Sequence, residues 1–298
     1  MRRVGSSMKT SMQAFGTSER VGHDSSQFYD RKMYNKSKEH LLNAQEVECP
    51  DNVVNKIYNK SSVDMAEIPD NSIHMMITSP PYNVGKDYDE DLTEQEYHDL
   101  LYTVWKDVYR VLSPGGRACI NIANIGRKPY IPLNSMISRQ MTDIGYLMRG
   151  EIIWNKSASA GTSCAWGSWK SASNPVLRDT HEYILIFSKG QYSRSSKGRE
   201  STITKEEFLE YTKSIWSFPA ESAKRVKHPA PFPVELPRRL IQLYTYLNDI
   251  VLDPFMGSGS AAVAAIRHKR RYVGYDISQE YVATAEQRIF GENEPLLV

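Results

Sequence analysis

The amino-acid sequence predicts an α/β fold, in which a doubly wound, mostly parallel sheet is covered by helices. Short apolar runs typical of buried strands alternate with segments whose apolar residues recur at helical spacing. A glycine-rich turn also joins one predicted strand to an Ala-rich helix, between Asp253 and Ser260. Strand and helix signals that alternate in this way indicate a parallel, doubly wound sheet.

The alternation begins at about residue 53. The apolar run Ser72–Thr78 stops at the rigid pair Pro80-Pro81, which predicts a buried strand that ends in a turn. Glu94–Leu112 has the apolar spacing of an amphipathic helix, and Ser113-Pro-Gly-Gly116 stops it. Further strands are predicted at Ala118–Ala123, Gly150–Trp154, Tyr183–Phe187, Ile250–Asp253 and Tyr272–Tyr275, and further helices at Thr204–Tyr211, Ala261–Ile266 and Glu280–Ile289.

The composition is that of an ordinary globular protein. The 298 residues include 37 Lys and Arg against 35 Asp and Glu, a net charge of +2 that excludes a histone-like polycation. Hydrophobic residues make up 40% of the chain, and no apolar run approaches the ~20 residues that cross a bilayer, so we expect a soluble protein. Cys49, Cys119 and Cys164 lack CxxC spacing, which disfavours a disulfide framework or a metal site and indicates a reducing compartment.

Charge is distributed unevenly along the chain. We expect residues 1–45 to form a flexible basic arm, with a transit-peptide-like leader as the alternative, and residues 46–298 to form one α/β domain. Between Asn155 and His228, 12 Lys and Arg accompany 7 Asp and Glu, a local net charge of +5 that leaves −3 for the remainder. Because residues from about 157 to 225 also interrupt the alternation, we interpret them as an insert in that domain.

The segment Asp253-Pro-Phe-Met-Gly-Ser-Gly-Ser260 follows a predicted strand and opens a helix. Gly257 and Gly259 allow a tight turn and a close approach to a ligand, and the helix N-terminus adds free N–H groups. The turn is neither GxGxxG nor GxxxxGK[ST], so dinucleotide and P-loop phosphate binding are not the first interpretation. Asp253 favours a cationic ligand, and Asp276, 23 residues further on, has the spacing of a ribose-binding acid. A simple strand–turn–helix connection is the alternative.

The segment Thr78-Ser-Pro-Pro-Tyr-Asn83 predicts a stiff loop at the carboxyl end of a strand, where open α/β sheets bind ligands. It presents the Ser79 hydroxyl, the Pro80 carbonyl and the ring of Tyr82. A ring beside two hydrogen-bond acceptors can stack on a planar base and bind its amino group. A proline-rich turn with a core tyrosine is the alternative.

Together the two motifs resemble those of the S-adenosylmethionine-dependent DNA amino-methyltransferases. Asp253–Ser260 is similar to their cofactor motif and Ser79-Pro-Pro-Tyr82 to their catalytic tetrapeptide, which comes first here, as in the permuted β group. Segments that also recur in this group are Pro69-Asp-Asn-Ser72, Trp154-Asn-Lys156, His181-Glu-Tyr183 and His228–Pro237. The resemblance extends from about Ile57 to Phe290. It implies a Rossmann-like methyltransferase sheet with an inserted target-recognition region.

The resemblance also implies the chemistry and the site residues. A methyl group would pass from S-adenosyl-L-methionine to an exocyclic amine of a base flipped out of double-stranded DNA. The implied catalytic residues are Ser79, Pro80, Pro81 and Tyr82, with Ser79 Oγ and the Pro80 carbonyl accepting from the amine and Tyr82 stacking on the ring. The implied cofactor-binding residues are Asp253, Pro254, Phe255, Met256, Gly257, Ser258, Gly259, Asp276, Ile277, Phe232 and Pro233, and no metal is implied.

One segment departs from the family pattern. The family often has Gly-Asp-Ser before the catalytic strand, with the acid on the cofactor, whereas this chain has Asn59-Lys-Ser-Ser62. Either Asp64 or backbone and hydroxyl contacts are expected to take the place of that acid.

Serine at position 79 bears on the identity of the target base. In the family, Ser-Pro-Pro-Tyr goes mostly with cytosine-N4 and Asp-Pro-Pro-Tyr mostly with adenine-N6, so cytosine-N4 is favoured and adenine-N6 is the alternative. An RNA or small-molecule methyltransferase and a silent binding module are the competing classes of function. A covalent cytosine-C5 mechanism needs a cysteine within Pro-Cys, and this chain has only the reverse order, Cys49-Pro50.

The basic insert, at about 157–225, is the expected target-recognition region, because basic side chains neutralise phosphates and loops reach base edges. The expected DNA contacts are Lys170, Arg194, Lys197, Trp166 and Trp169. Trp216 lies in the same stretch, with packing on the core as the alternative role for any of the tryptophans. The resemblance allows a homodimer and a cognate restriction endonuclease as further partners. It implies a cytoplasmic location in a prokaryote and a nuclear one in a eukaryote.

Overall fold

The computed structural model describes residues 11–12, 20–21, 32, 44–82, 92–156, 167–221 and 232–293. The chain divides into two units, residues 1–40 and 41–298. In the first unit, strands β1 (Ser11–Met12) and β2 (Arg20–Val21) pair antiparallel. Most of the predicted basic arm lies outside the described residues, so its flexibility stays a prediction.

The second unit contains an eight-stranded sheet. Its strands are β3 (Lys56–Tyr58), β4 (Ile73–Thr78), β5 (Leu112–Ile122), β8 (Tyr146–Asn155), β9 (His181–Lys189), β10 (Ile215–Ser217), β11 (Ile250–Asp253) and β12 (Arg271–Tyr275), and a separate hairpin joins β6 (Ile125–Gly126) to β7 (Tyr130–Ile131). The strand order in the sheet is β10-β8-β9-β5-β4-β11-β12-β3. Strand β9 is antiparallel to both of its neighbours, and every other pairing in the sheet is parallel.

Helices cover both faces of this sheet. They are α1 (Glu94–Val111), α2 (Leu133–Ile144), α3 (Lys205–Tyr211), α4 (Glu235–Tyr244), α5 (Ser260–Arg267) and α6 (Gln279–Asn293). Buried residues of α1 and α2 pack in one core cluster, and those of α4, α5 and α6 pack in the other. The predicted doubly wound α/β fold is therefore confirmed. Within the described part of the chain, no helix is both long and apolar enough to cross a membrane.

Helix α1 has clear start and stop signals. Thr93 and Glu96 form a capping box, in which each side chain accepts from the backbone N–H of the other. At the other end, Lys189 Nζ donates to the carbonyls of Arg110 and Leu112, at 3.0 and 2.7 Å. Burial lowers the pKa of Lys189 to about 8. The predicted end of the helix at Ser113–Gly116 lies within a few residues of the observed end, because the helix ends at Val111 and β5 begins at Leu112.

The direction of β9 divides the predicted insert between two opposite edges of the sheet. The carboxyl edge is where the parallel strands end, and β9 begins there at His181 because Ile122 of β5 pairs with Tyr183. The chain reaches the amino edge at Lys189. Lys156 and His181, which flank the connection between β8 and β9, therefore lie at the carboxyl edge, whereas the segment that starts at residue 190 begins at the amino edge. Since β9 and β10 belong to the main sheet, the predicted insert (157–225) is not a separate body.

Candidate active site

The glycine turn and the proline loop meet at the carboxyl edge because β4 and β11 are neighbours in the sheet. Thr78 Oγ1 at the end of β4 donates a 2.6 Å hydrogen bond to Asp253 Oδ1 at the end of β11. These residues are 175 positions apart in the sequence, and both are buried. The two predicted motifs therefore form one site, at the position where open α/β sheets bind their ligands.

Asp253 is a buried carboxylate with one oxygen left over. Asp253 is 1% exposed. Its Oδ1, which accepts from Thr78, also accepts from the N–H of Phe255 at 3.1 Å. Oδ2 is buried without a hydrogen-bond partner among the described residues. Burial, with a smaller contribution from the charge of Asp276, raises the pKa of Asp253 to about 7. A cationic donor placed at Oδ2 would complete this carboxylate.

Asp276 holds the glycine turn in place. Its Oδ2 accepts from the N–H of Gly257 at 2.8 Å, and its Oδ1 accepts from the N–H of Ser278 at 2.9 Å. Burial raises the pKa of Asp276, while these two backbone hydrogen bonds lower it. Gly259 has φ of +81°, and an added Cβ there would lie only 2.9 Å from Cβ of Ala285 on α6. The turn therefore requires glycine for its backbone and for its packing.

These features fit the methionine and ribose parts of S-adenosyl-L-methionine. The unpaired oxygen of Asp253 suits an ammonium group, and a carboxylate at the end of β12 suits a ribose. Around them, Pro254, Met256 and Ser258 are buried, Phe255 is partly buried against Trp105, and Ile277 is 61% exposed. Phe232 packs on the same core cluster as Met256, and Pro233 is buried beside it in the sequence. His228 and the three residues after it lie outside the described residues.

The segment that departs from the family pattern borders the same site. Asn59 Nδ2 donates to the carbonyls of Asp276 and Ile277, both at 3.0 Å. Lys60 Nζ forms an ion pair with Glu67 at 2.8 Å. Asp64, the suggested substitute for the missing acid, is exposed. The loop after β3 thus supports the backbone after β12 through an amide instead of presenting a carboxylate.

The proline loop places the Ser79 and Tyr82 hydroxyls together. Ser79 Oγ lies 3.2 Å from the Tyr82 hydroxyl, and the Pro81 carbonyl accepts from the hydroxyl of Tyr97 on α1 at 2.8 Å. Pro80 is buried, while Ser79, Pro81 and Tyr82 are partly exposed. Burial raises the pKa of Tyr82 well above its usual value, and the nearby Glu182 raises it further. Tyr82 is therefore a protonated donor at neutral pH.

Glu182 extends this pair into a hydrogen-bonded cluster. Its Oε2 accepts from Asn121 Nδ2 at 2.6 Å and from the Tyr82 hydroxyl at 3.4 Å. Its Oε1 forms an ion pair with Lys156 Nζ. Asn121 is 2% exposed, and its Oδ1 is buried without a partner among the described residues. Four elements, the ends of β4, β5 and β8 and the start of β9, thus position one polar cluster.

Three members of this cluster were missed as site residues by the sequence analysis, namely Asn121, Lys156 and Glu182. Lys156 and Glu182 belong to Trp154-Asn-Lys156 and His181-Glu-Tyr183, which were noted only as recurring segments. Charged residues at the ends of two consecutive predicted strands were the available signal. Asn121 gave no signal of its own, since it lies inside an apolar run.

The expected DNA contacts do not lie together. Lys170 and Trp169 are in the connection between β8 and β9, with Lys170 Nζ 5.5 Å from the centroid of the Trp169 ring, and Trp169 is 65% exposed. Trp166 lies outside the described residues, and Trp216 is fully buried in the core.

Arg194 and Lys197 lie at the amino edge, and this corrects the sequence-based expectation. The Arg194 side chain is 8% exposed and paired with Asp249, so its charge is already neutralised inside the protein. Lys197 Nζ lies 3.6 Å from Glu46. Neither side chain lies at the carboxyl edge, where Ser79 is.

The mostly parallel sheet carries a glycine turn, the buried Asp253 and the partly buried Asp276 at its carboxyl edge, an arrangement typical of ligand-binding doubly wound α/β enzymes. A family model described as DNA methylase, for the N6 and N4 methyltransferases, matches residues 73–287. The chain therefore belongs to this DNA methylase family. Membership confirms the coarse prediction of a DNA methyltransferase and its S-adenosyl-L-methionine cofactor.

Individual relatives agree with this assignment. The chain is 34% identical over 267 residues to the type II methyltransferase M.MjaI of Methanocaldococcus jannaschii, covering 76% of this chain and 88% of that protein. The protein TTHA0409 of Thermus thermophilus, solved with S-adenosyl-L-methionine, is 28% identical with a TM-score of 0.64, covering 80% and 93%. The cytosine-N4-specific PvuII DNA methyltransferase has the same fold at 21% identity and a TM-score of 0.64, covering 82% and 87%.

Proposed function

We propose that this protein is a site-specific DNA methyltransferase that transfers a methyl group from S-adenosyl-L-methionine to N4 of a cytosine flipped out of the duplex. The hydrogen bond from Thr78 to Asp253 carries the proposal. It joins the loop suited to an amino group directly to the loop suited to a cationic cofactor. Holding the two reactants side by side is the largest contribution that such a site can make to the rate.

The cofactor would be held by Asp253, by the glycine turn and by Asp276. When bound, S-adenosyl-L-methionine supplies an electrophilic methyl group on its sulfonium. The unpaired Oδ2 of Asp253 would accept from its ammonium, and Asp276 holds the glycine turn in place. Asn59 supports the backbone of Asp276 and Ile277 from the neighbouring strand.

The hydroxyl geometry explains how Ser79 would receive the amine. The Tyr82 hydroxyl donates its hydrogen bond to Glu182. The hydrogen bond between Ser79 and Tyr82 must therefore be donated by the Ser79 hydroxyl. The lone pairs of Ser79 Oγ are then free to accept an N–H of the target amine, beside the Pro80 carbonyl. Acceptors on both N–H groups localise the nitrogen lone pair and make the amine a better nucleophile.

The hydroxyls of Ser79 and Tyr82 would also transfer the amine proton to Glu182. After methyl transfer, the N–H bond breaks, the proton is taken up at Ser79 Oγ, Ser79 passes its own proton to Tyr82, and Tyr82 passes its own to Glu182. Lys156 and Asn121 hold the Glu182 carboxylate for this role. Acid–base catalysis of this kind contributes typically 10²–10⁴-fold to a rate.

The choice of base rests on Ser79, since serine at this position goes mostly with cytosine-N4 in the resembling family. Adenine-N6 transfer is the alternative product. Attack at cytosine C5 through a cysteine is disfavoured, because burial raises the pKa of Cys119 to about 12 and also raises that of Cys49. Cys164 lies outside the described residues.

The proposed partner is double-stranded DNA, and base flipping costs a few kcal/mol that protein contacts must offset. Trp169 and Lys170, in the connection between β8 and β9, remain the proposed contacts from the predicted set. The type II relatives support a cognate restriction endonuclease as a second partner, and a homodimer is a further proposal.

The test is a methylation assay with the full-length protein, labelled cofactor and double-stranded DNA, with an RNA of the same sequence in a parallel reaction. Digestion to nucleosides and mass spectrometry should identify N4-methylcytosine. Tyr82→Ala and Ser79→Ala should each reduce transfer by more than tenfold, whereas Tyr102→Ala, at an exposed tyrosine of α1, should not. N6-methyladenine as the product would replace the cytosine assignment. Transfer to RNA alone, or full activity of both site variants, would overturn the proposal.

A further inference from the structure

A short hairpin follows the carboxyl end of β5, the strand next to β4, which ends in the proline loop. Its strands β6 and β7 pair Ile125 with Ile131 and Gly126 with Tyr130. Ile125 and Ile131 pack against the core cluster that also contains the buried residues of α1 and α2. The hairpin is therefore anchored by its apolar pair, and its tip points away from the core.

The tip carries two basic side chains and a tyrosine that the fold does not bury. All residues from 126 to 130 are exposed, and Tyr130 is 46% exposed. Lys128 has no ion pair within the described ranges. Neither packing nor an internal ion pair within the described ranges occupies the Lys128 side chain, so it is available to a ligand.

Arg127 connects the hairpin to the loop between β8 and β9. Its Nη2 forms a 2.8 Å ion pair with Asp179, three residues before Glu182 of the catalytic cluster. On the same side, the ring of Tyr130 lies close enough to Tyr183 to influence its ionisation. The basic tip is therefore tied to the residues that lead into β9, the strand that carries Glu182.

We propose that the hairpin Ile125–Ile131 is a DNA-contacting arm, in which Lys128 binds a backbone phosphate of the duplex next to the flipped base and the ion pair between Arg127 and Asp179 holds the hairpin in position. This inference rests on the proposed function. A two-stranded ribbon has the width to enter the major groove, and Lys and Arg are the usual partners of phosphates. Phosphate contacts of this kind position the duplex without reading its sequence.

The amino edge supplies a matched control, because Lys197 is also an exposed lysine, with a side chain that is 54% exposed. Its position on the opposite edge from Ser79 predicts no contact with DNA. Lys128→Ala and Lys197→Ala therefore remove the same group from two edges of one sheet, and only the first should affect DNA binding.

The experiment measures DNA binding by fluorescence anisotropy at several salt concentrations, using the full-length protein and a duplex that it methylates. Lys128→Ala should weaken binding and reduce the slope of log K against log salt by about one. Lys128→Arg should restore the slope, and Lys197→Ala should match the wild type. Cofactor affinity should be the same in all variants, which shows that the site is intact.

An unchanged slope in Lys128→Ala would overturn the hairpin assignment while leaving the proposed function in place. An equal loss in Lys197→Ala would also overturn it, because the effect would then be one of net charge. A wild-type protein that neither binds nor methylates DNA would instead refute the proposed function.

Discussion

Two aspartates at opposite ends of one strand show how differently the two edges of the sheet use a buried carboxylate. Asp249 lies just before β11 and is fully buried, but both of its oxygens are paired, with Arg194, Arg199 and the N–H of Tyr246. Asp253 ends the same strand, is equally buried, and keeps one oxygen without a partner among the described residues.

The difference separates a stabilising site from a binding site. At the amino edge, Glu46, His74 and Arg199 add further hydrogen bonds, so the charges there compensate one another. At the carboxyl edge, Asp253 and Asn121 each retain an unpaired buried oxygen, a state that costs free energy unless a ligand completes it. A buried charge alone therefore does not mark an active site, and it is the unpaired oxygen of Asp253 that makes the carboxyl edge the candidate binding site.

The largest expected effect comes from exchanging one carboxylate for an amide at each edge. Asp249→Asn should lower the free energy of unfolding by about 3–5 kcal/mol, since it leaves Arg194 buried without its counter-charge. Asp253→Asn should leave the stability at pH 8 unchanged or higher, because it removes a poorly solvated charge. Urea denaturation of both variants measures this contrast, and equal losses would show that the two carboxylates have the same role.

A smaller effect is expected at the catalytic cluster itself. Glu182→Gln should reduce kcat by roughly 10²-fold, since the amide cannot accept the proton relayed by Tyr82 and no longer attracts Lys156. Cofactor affinity, measured by calorimetry, should stay within a factor of about two. Glu210→Gln, at an exposed carboxylate of α3, serves as the control. A parallel loss of cofactor binding would place Glu182 in the cofactor site instead.

The pH dependence of cofactor binding tests the state of Asp253. Its pKa is raised to about 7, so the carboxyl is mostly protonated at pH 6 and mostly ionised at pH 8. Because the ionised form attracts an ammonium, the Kd should fall by about tenfold over this range. In the free protein the sign is opposite, since a raised pKa means that the stability contributed by this group is lost as the pH rises through 7. Asp253→Asn should remove both dependences, and a Kd independent of pH in the wild type would contradict this role.

The smallest effect is expected at the segment that lacks the family acid. Asn59→Ala removes two hydrogen bonds to the carbonyls of Asp276 and Ile277, and should weaken cofactor binding by about two- to tenfold. Lys60→Ala should leave it unchanged, because Lys60 is paired with Glu67. A large loss in Lys60→Ala would indicate that the lysine itself contacts the cofactor.

Much of the fold was predictable because its signals are local. Apolar runs located β4, β11 and β12 to within a residue or two, and the glycine turn placed Asp253 and Asp276 at strand ends. The two motifs also met as expected, since each follows a parallel strand and such strands end at one edge.

The direction of β9 was not predictable, and the misassigned DNA contacts follow from it. An apolar run such as Tyr183–Phe187 has the same composition in a parallel and in an antiparallel strand. Because β9 runs antiparallel to its neighbours, Arg194 and Lys197 lie at the amino edge and Glu182 lies beside Tyr82 of the proline loop. The charge of the stretch from 155 to 228 was counted correctly, but it is divided between two surfaces.

The reversed strand also makes the connection between β8 and β9 tolerant of changes in length. Lys156 and Glu182 form an ion pair at the two ends of the connection between β8 and β9, so this connection leaves and re-enters the sheet at one point. Doubling the length of such a closed loop costs only about 0.6 kcal/mol in chain entropy. Residues in this connection could therefore be replaced or added while Lys156 and Glu182 on either side of it stay in register.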